Sequence, residues 1–279
     1  MKLIVLLFSS LVLLTACEGH EALQVSADNS AGIRGGEIVS AEDSVARKVF
    51  HLRVGYDKTQ ATNDEGATVY KWRVTTCTAS ALTPRILMTA AHCFPETTDL
   101  LNVDVIMPDG TKEIIRGQTY MTHRLYNKED HTADLAMVLL ETSLPEGTEL
   151  VNLPSKGEDL GLTSIIAAGY GVTSSLVTPN GGTLRKTVLD VQKYDPLDEM
   201  IVVNQRGSSG ACKGDSGSSA LYEKDGVTYT VGVMSYANFQ VPNGKKPESI
   251  EKCAFEANYV NVQFHLDWIH AVLKHWANE

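Results

Sequence analysis

Residues 210–219 read GACKGDSGSS, and the rest of the chain is organised around this stretch. At its centre, Ser216 follows Asp215 and stands between Gly214 and Gly217. A serine hydroxyl is a weak nucleophile unless a base lies beside it and donors await the oxyanion that it creates. Glycines allow the sharp bend that turns backbone N–H groups inward. The stretch therefore indicates either a nucleophile loop or a Gly/Ser-rich surface turn.

Two upstream motifs supply the partners that such a nucleophile needs. Residues 87–93 read LMTAAHC, an apolar run that leads to His92. Residues 134–140 read DLAMVLL, which places Asp134 at the start of a buried strand. The chain order is His92, Asp134, Ser216, and among the known orders of a Ser/His/Asp triad this one is the chymotrypsin type. We therefore predict these three residues as the catalytic residues.

On these motifs the sequence resembles the trypsin/chymotrypsin-like serine peptidases over residues 38–276. The matching stretches are TAAHC at 89–93, DLA at 134–136, GDSG at 214–217 and, more weakly, GYG at 169–171, YVNV at 259–262 and LDWI at 266–269. The resemblance implies an all-β fold of two antiparallel six-stranded β-barrels with the active site between them. It also implies hydrolysis of protein or peptide substrates through an acyl-enzyme, without a cofactor.

The strand pattern favours the same fold class. Short runs such as 49–54 and 69–74 alternate apolar and polar residues, turn residues separate them, and no long helical pattern intervenes. Strands at this spacing favour antiparallel barrels over a parallel sheet. Residues 262–276 instead carry apolar side chains at helical spacing, which predicts a C-terminal helix. We place the N-terminal barrel at 38–150, and the C-terminal barrel with its helix at 151–279.

The N-terminal residues predict export. Residues 1–17 begin with Lys2 and an apolar stretch too short to span a bilayer, which is typical of a secretory signal. The signal ends LTAC, which resembles a bacterial lipobox and predicts a lipid on Cys17; an ordinary signal peptide is the alternative. Residues 18–37 are small and polar and predict a tether or propeptide. We expect an exported protein, either anchored to a membrane as a lipoprotein or secreted after processing.

Cysteine count and charge limit the other classes. The chain has five cysteines, so one is unpaired in an exported protein; if Cys17 carries the lipid, four remain for disulfides. The resemblance implies the pairs Cys77–Cys93 and Cys212–Cys253. No Cys-x-x-Cys spacing or nearby His pair predicts a metal site. A net charge of −10 argues against a nucleic-acid partner. We expect a monomer.

The resemblance also assigns the residues around the nucleophile. The N–H groups of Gly214 and Ser216 would form the oxyanion hole, and Ser235 would support Asp134. Gly210 would lie at the floor of the specificity pocket, where relatives that select Lys or Arg carry an acid. The remaining pocket positions are Ala211, Ser235, Ala237 and Ala257. Because the floor is uncharged, a cationic side chain would be buried unpaired, and we predict a preference for small or medium apolar side chains.

Activation is predicted to need a second protease. In the resembled family a cut frees an Ile-Val N-terminus, whose ammonium pairs with the acid before the nucleophile. Here this would join Ile38 to Asp215. The site departs from the family pattern, because Glu37 precedes Ile38 and residues 40–41, Ser-Ala, replace the usual glycines.

A function of another class is possible for the same fold. The chain could be a catalytically silent relative that acts as an envelope binding protein. The intact triad motifs argue against that alternative.

Overall fold

The computed structural model describes residues 33–106, 111–176 and 182–277. The predicted signal, Cys17 and most of the predicted tether lie outside these ranges. The strands are β1 Glu37–Ile38, β2 Val49–Thr62, β3 Thr68–Thr83, β4 Ile86–Thr89, β5 Thr98–Ile106, β6 Lys112–Thr122, β7 Ala136–Leu140, β8 Ser164–Gly169, β9 Arg185–Lys193, β10 Met200–Asn204, β11 Ser219–Lys224, β12 Val227–Asn238 and β13 Glu256–Asn261. The helix α1 is Leu266–Trp276, and short 3-10 turns are Ser44–Arg47, Ala91–Cys93, Pro247–Ser249 and Gln263–His265.

The first barrel closes in the order β2-β3-β4-β7-β6-β5. Strand β7 lies between β4 and β6 and is buried at every position, so both of its faces are covered. Such a strand needs an apolar side chain at each position, as the uninterrupted AMVLL run provides. The apolar run therefore determines the position of β7, which begins two residues after Asp134.

The second barrel closes in the order β8-β9-β10-β13-β12-β11, with β11 pairing back onto β8. All of its strand pairs are antiparallel. The short strand β1 adds to the edge of β9 through the pairs Glu37–Lys186 and Ile38–Arg185. The two six-stranded barrels and the C-terminal helix confirm the predicted fold class.

Both ends of the described chain cross to the opposite barrel. Ile33 is fully buried in the apolar core of the second barrel. At the other end, α1 buries one face, Leu266, Ile269, Val272 and Trp276, in the same apolar cluster as β4 and β7 of the first barrel. The strands of the two barrels fall on either side of residue 150. The two ends of the chain do not follow this division, because the N-terminal end packs on the second barrel and α1 packs on the first. Of the helices in the described part, none is long and apolar enough to cross a membrane.

Candidate active site

Three segments bring the predicted catalytic residues to one cleft. His92 lies in the 3-10 turn Ala91–Cys93 after β4, and Asp134 lies two residues before the start of β7. Ser216 lies between β10 and β11 of the second barrel. Because β4 and β7 are neighbours, His92 and Asp134 come from adjacent ends of the first barrel. The cleft therefore forms where the two barrels meet.

Asp134 holds His92 at two points, the imidazole and the backbone N–H. His92 Nδ1 lies 2.7 Å from Asp134 Oδ2, and the backbone N–H of His92 donates to Asp134 Oδ1 at 2.8 Å. Ser235 Oγ donates to Asp134 Oδ2 at 2.5 Å. A neutral imidazole held in this way carries its proton on Nδ1 and presents Nε2 as a base.

The environment of Asp134 keeps its carboxylate charged. The side chain is fully buried, which by itself would raise its pKa. Hydrogen bonds from His92 and Ser235, together with the charge of the imidazole, outweigh burial and hold the pKa below its usual value. Asp134 is therefore ionised wherever the imidazole must accept a proton.

The nucleophile loop is an interior turn and not a surface turn. Gly217 has φ +83°, and a Cβ built there would lie 2.0 Å from Thr89 Oγ1. Thr78 of the first barrel holds the loop: its N–H donates to the carbonyl of Ser216 at 2.8 Å, and its Oγ1 donates to the carbonyl of Gly214 at 3.0 Å. The first barrel thus fixes the backbone on both sides of the nucleophile.

The same turn leaves two amides available. Among the described residues, neither the N–H of Gly214 nor that of Ser216 donates to a protein acceptor. Gly214 has φ +94° and packs closely on Gly171, so the glycine is needed for both the conformation and the contact. Ser216, His92 and Gly214 line one cavity of about 470 Å³. Two such donors beside a serine match the requirements of an oxyanion site.

Asp215 is the second fully buried acid of the site. It accepts hydrogen bonds from the N–H groups of Gly171 and Cys212, each at 2.8 Å. In the described part of the chain no cation pairs with it. Burial raises the pKa of Asp215 from 3.8 to about 7, although the two amide donors lower it. A carboxylate in this position lacks a positive partner.

The predicted partner of Asp215 is not close to it. Ile38 is 57% exposed and pairs with Arg185 on the outer strand of the second barrel. The buried residue is Ile33, which shares its apolar cluster with Ala211 and Tyr259. The activation pair between Ile38 and Asp215 is therefore corrected, because β1 holds Ile38 on the surface.

Residues 33–36 read IRGG, and each residue is held in place. Arg34 exchanges two backbone hydrogen bonds of 2.9 Å with Gly210. Its guanidinium donates to the carbonyls of four residues: Gln205, Gly207, Ser209 and Cys253. At Gly35, φ is +62° and a Cβ would lie 2.2 Å from the carbonyl oxygen of Ser208. The glycine pair that the resembled family carries shortly after its freed isoleucine is therefore matched by Gly35-Gly36. This pair after Ile33 is visible in the sequence and could have indicated the position.

The candidate specificity pocket is lined by a different set of residues from the predicted one. A cavity of about 200 Å³ beside Ser216 is lined by three of the predicted residues, Ala211, Ser235 and Ala237. Gly210 and Ala257 do not line it: Ala257 is fully buried in β13, and the side chain of Gln205 lies 2.7 Å from a Cβ built on Gly210. Side chains that the sequence reasoning missed complete the lining, among them Met234, Phe239, Lys213 and Lys252.

Two further side chains near the triad were not predicted to contact it. The ring of His131 stacks on Tyr236 at 4.7 Å between centroids, and its Nδ1 lies 3.7 Å from Asp134 Oδ2. Glu199, from the second barrel, accepts the N–H of Ala133 at 2.7 Å. The backbone at His131 and Ala133 has positive φ, so Glu199 stabilises a strained loop next to Asp134.

The disulfides join Cys77 to Cys93 and Cys212 to Cys253. Both lie beside the cleft, one behind His92 and one below the pocket. Among the described residues, one group with metal-ligand atoms within 4.8 Å of each other contains no disulfide cysteine: His92, His131 and Asp134. Its atoms already serve the His92–Asp134 hydrogen bond, so a metal there would compete with the triad.

Two β-barrels with a Ser, His and Asp in the cleft between them define the chymotrypsin-like class of hydrolase folds. A family model described as Trypsin matches residues 53–262. The chain therefore belongs to the trypsin family of serine proteases.

Individual relatives are distant. The chain is 25% identical over 210 residues to Brachyurin of Leptuca pugilator, covering 69% of this chain and 85% of that one. It is 24% identical over 220 residues to Trypsin-1 of Astacus astacus (70% and 86%) and 23% identical over 180 residues to Chymotrypsin of Phaedon cochleariae (58% and 63%). Among solved structures, human heparin binding protein aligns with TM-score 0.62 and 18% identity, over 87% of this chain and 97% of that one. This last likeness concerns the fold alone.

Proposed function

We propose that the chain is an exported serine endopeptidase that cleaves peptide bonds through an acyl-enzyme. The observation that carries the proposal is that His92, held by Asp134, lines the same cavity as Ser216 and Gly214, whose N–H groups have no protein acceptor among the described residues. Acyl transfer needs a nucleophile, an oriented base and donors for the oxyanion, and these residues provide each of them.

Each residue has one role in the proposed reaction. His92 Nε2 takes the proton of Ser216 Oγ as the oxygen attacks the carbonyl carbon, and it later gives that proton to the leaving amine. Asp134 keeps the Nδ1–H tautomer and stabilises the imidazolium. The N–H groups of Gly214 and Ser216 bind the oxyanion, and each such donor contributes about 3 kcal/mol to transition-state stability. Water then replaces the amine: His92 takes a proton from water as its oxygen attacks the acyl carbon, and returns that proton to Ser216 Oγ as the ester bond breaks and the acid product leaves.

The alternative is a catalytically silent binding protein of the bacterial envelope. The contacts around the site argue against it. A binding protein has no need for a buried Asp134 with three hydrogen bonds, or for glycines at positions 214 and 217, where a side chain would be strained and would clash.

We propose that the activating cut precedes Ile33. Three observations support this position: Ile33 is fully buried, Gly35-Gly36 follows it, and the buried Asp215 has no cation among the described residues. A new ammonium at Ile33 would give Asp215 its missing partner and fix the loop that carries Gly214. An ion pair that removes an uncompensated buried charge is a large effect, of about 3–5 kcal/mol.

The same cut would release the enzyme from a membrane. We propose a lipid on Cys17, and the other four cysteines are paired with one another. No disulfide then ties residues 17–32 to the catalytic body. Cleavage before Ile33 would leave a lipidated stub and free a soluble, active enzyme, so activation and release would be one event.

The function is tested by hydrolysis of a denatured protein substrate by a chain that begins at Ile33. We expect the wild-type protein to cleave it and Ser216→Ala to be inactive while it keeps the same melting temperature. Ser208→Ala, at an exposed serine of a neighbouring loop, is the matched control and should retain activity. An inactive wild-type protein with a folded circular dichroism spectrum would support the silent alternative.

A further inference from the structure

The specificity pocket is lined by two lysines and by no carboxylate. Lys213 and Lys252 both face the cavity of about 200 Å³ beside Ser216, and no Asp or Glu is among the residues that line it. We propose that this pocket selects substrates with an acidic side chain, Glu or Asp, directly before the scissile bond. The inference rests on the proposed peptidase function and names its substrate class.

Lys252 has no acidic partner of its own. Its side chain is half-buried, and its Nζ lies 4.9 Å from the centroid of the Phe239 ring, which also lines the pocket. The neighbouring acid, Glu251, is engaged elsewhere, because it accepts from Ser174 Oγ at 2.5 Å and from the N–H groups of Ser175 and Cys253. No ion pair of Lys252 occurs among the described residues. Its ammonium is therefore available to a ligand in the pocket.

The backbone of Lys252 is held in place. Its N–H donates to Ser175 Oγ at 2.8 Å, and the next residue, Cys253, is joined by a disulfide to Cys212. The disulfide connects the loop of Lys252 to the segment that leads to Ser216. Preorganisation of this kind lowers the cost of binding a charged side chain.

Lys213 adds a second positive charge at the entrance. It directly precedes Gly214, is exposed, and lines both the specificity pocket and the adjoining cavity of about 470 Å³ around His92 and Ser216. No carboxylate lines that adjoining cavity either. Within the described part of the chain Lys213 forms no ion pair. The charged side chains that line the two cavities, apart from the histidine, are therefore lysines, although the whole chain has a net charge of −10.

The size and polarity of the cavity fit one acidic side chain. A water molecule occupies about 30 Å³ in the liquid, so about 200 Å³ holds one side chain of medium size. An acidic side chain would meet an ammonium in a partly desolvated place, where charge-assisted bonds are strongest. A Lys or Arg side chain would be repelled and left unpaired. The predicted apolar preference did not take Lys252 into account, because that lysine comes from the distant loop 238–252.

The experiment uses the chain that begins at Ile33 and a set of peptides that differ only at the residue before the scissile bond: Glu, Asp, Gln, Ala, Leu and Lys. We expect kcat/KM for Glu to exceed that for the isosteric Gln by about tenfold or more, since one charged partner distinguishes them. Lys should be the poorest substrate. A fluorophosphonate probe is applied to the same preparation to count active sites.

Two substitutions at Lys252 sharpen the test. Lys252→Met keeps the aliphatic packing and should lower kcat/KM for Glu by about tenfold while changing Ala and Leu little. Lys252→Glu should shift the preference toward Lys. Lys245→Met is the matched control, because Lys245 is an exposed lysine of the same loop that does not line the pocket; its selectivity should equal that of the wild type.

The outcomes separate the two proposals. Labelling by the probe together with a preference for Ala, Leu or Lys would overturn the acidic selectivity and leave the peptidase function standing. So would a Glu preference that Lys252→Met does not change. Absence of both labelling and cleavage would count against the proposed function itself.

Discussion

Asp134 and Asp215 are both fully buried carboxylates near the nucleophile, yet their surroundings affect them in opposite ways. Asp134 receives hydrogen bonds from His92 and Ser235, and its pKa lies below the usual value. Asp215 receives only backbone N–H groups, and burial raises its pKa to about 7. Burial alone therefore does not determine the charge of an acid; the partners within reach do.

The difference separates two kinds of site. The Asp134 region is complete in the folded chain, because every hydrogen bond that orients His92 is already formed. The Asp215 region lacks a positive charge, and Ile33, buried in the same barrel, is where a cut would create one. In the proposed function the first region would provide the chemistry, and the second would control when the chemistry is available.

The largest effect is expected at the nucleophile. Ser216→Ala in the chain that begins at Ile33 should lower kcat by about 10⁶-fold, because triad members act as a unit. His92→Ala should cost a similar amount, and the double variant little more than either single one. The measurement is steady-state hydrolysis of a chromogenic peptide. Independent, additive losses would show that the two residues do not work together.

The second largest loss of kcat tests the orienting role of Asp134. Asp134→Asn should keep the fold but lower kcat by about 10⁴-fold, because an amide favours the wrong imidazole tautomer. Ser235→Ala, which removes one of several hydrogen bonds to Asp134, should cost far less. A loss at Asp134→Asn no larger than that at Ser235→Ala would contradict the tautomer explanation.

Asp215→Asn should have opposite consequences before and after the cut. In the Ile33 form the change leaves a buried ammonium unpaired and should lower stability by about 3–5 kcal/mol. In the uncut chain the same change removes a costly buried acid and should be neutral or stabilising near pH 7. Urea unfolding of both forms measures this. Equal effects in the two forms would show that Asp215 has no partner at the new N-terminus.

The smallest effect is a pH dependence of the uncut chain. The pKa of Asp215 is about 7 in the folded protein against a usual 3.8, so the folded state binds the proton more tightly. The stability that this group contributes is present below about pH 4 and is lost as the pH rises through 7. The uncut chain with Asp215→Asn should lack this dependence. Melting temperatures of the two proteins between pH 4 and 8 test it, and parallel curves would contradict it.

The fold and the candidate site residues His92, Asp134 and Ser216 could be predicted from the sequence because the constraints on them are local. Each motif joins a special residue to the strand or turn that positions it, as Asp134 is joined to β7. The run of buried residues in β7 and the helical spacing of α1 are likewise visible over a few positions. Chain order then distinguishes one triad type from the others.

The pocket and the activation site could not be predicted in the same way because they depend on distant contacts. Lys252 reaches the pocket through a loop placed by the Cys212–Cys253 disulfide. Ile33 and Ile38 are both isoleucines near the N-terminal end of the catalytic region, and the sequence does not show which one is buried. The pairing of β1 with β9 shows that Ile38 stays exposed. Both proposed positions rest on contacts between residues far apart in the chain, which leave no periodic pattern in the sequence.

The central claim, that Ser216 is a nucleophile that a new N-terminus at Ile33 makes available, is tested most directly by covalent labelling of two defined forms. One form begins at Ile33 and the other retains the residues before it. Each is treated with a fluorophosphonate probe, digested and mapped by mass spectrometry. We predict strong labelling at Ser216 in the Ile33 form and little in the longer form. Equal labelling of both forms, or labelling at another serine, would contradict the account.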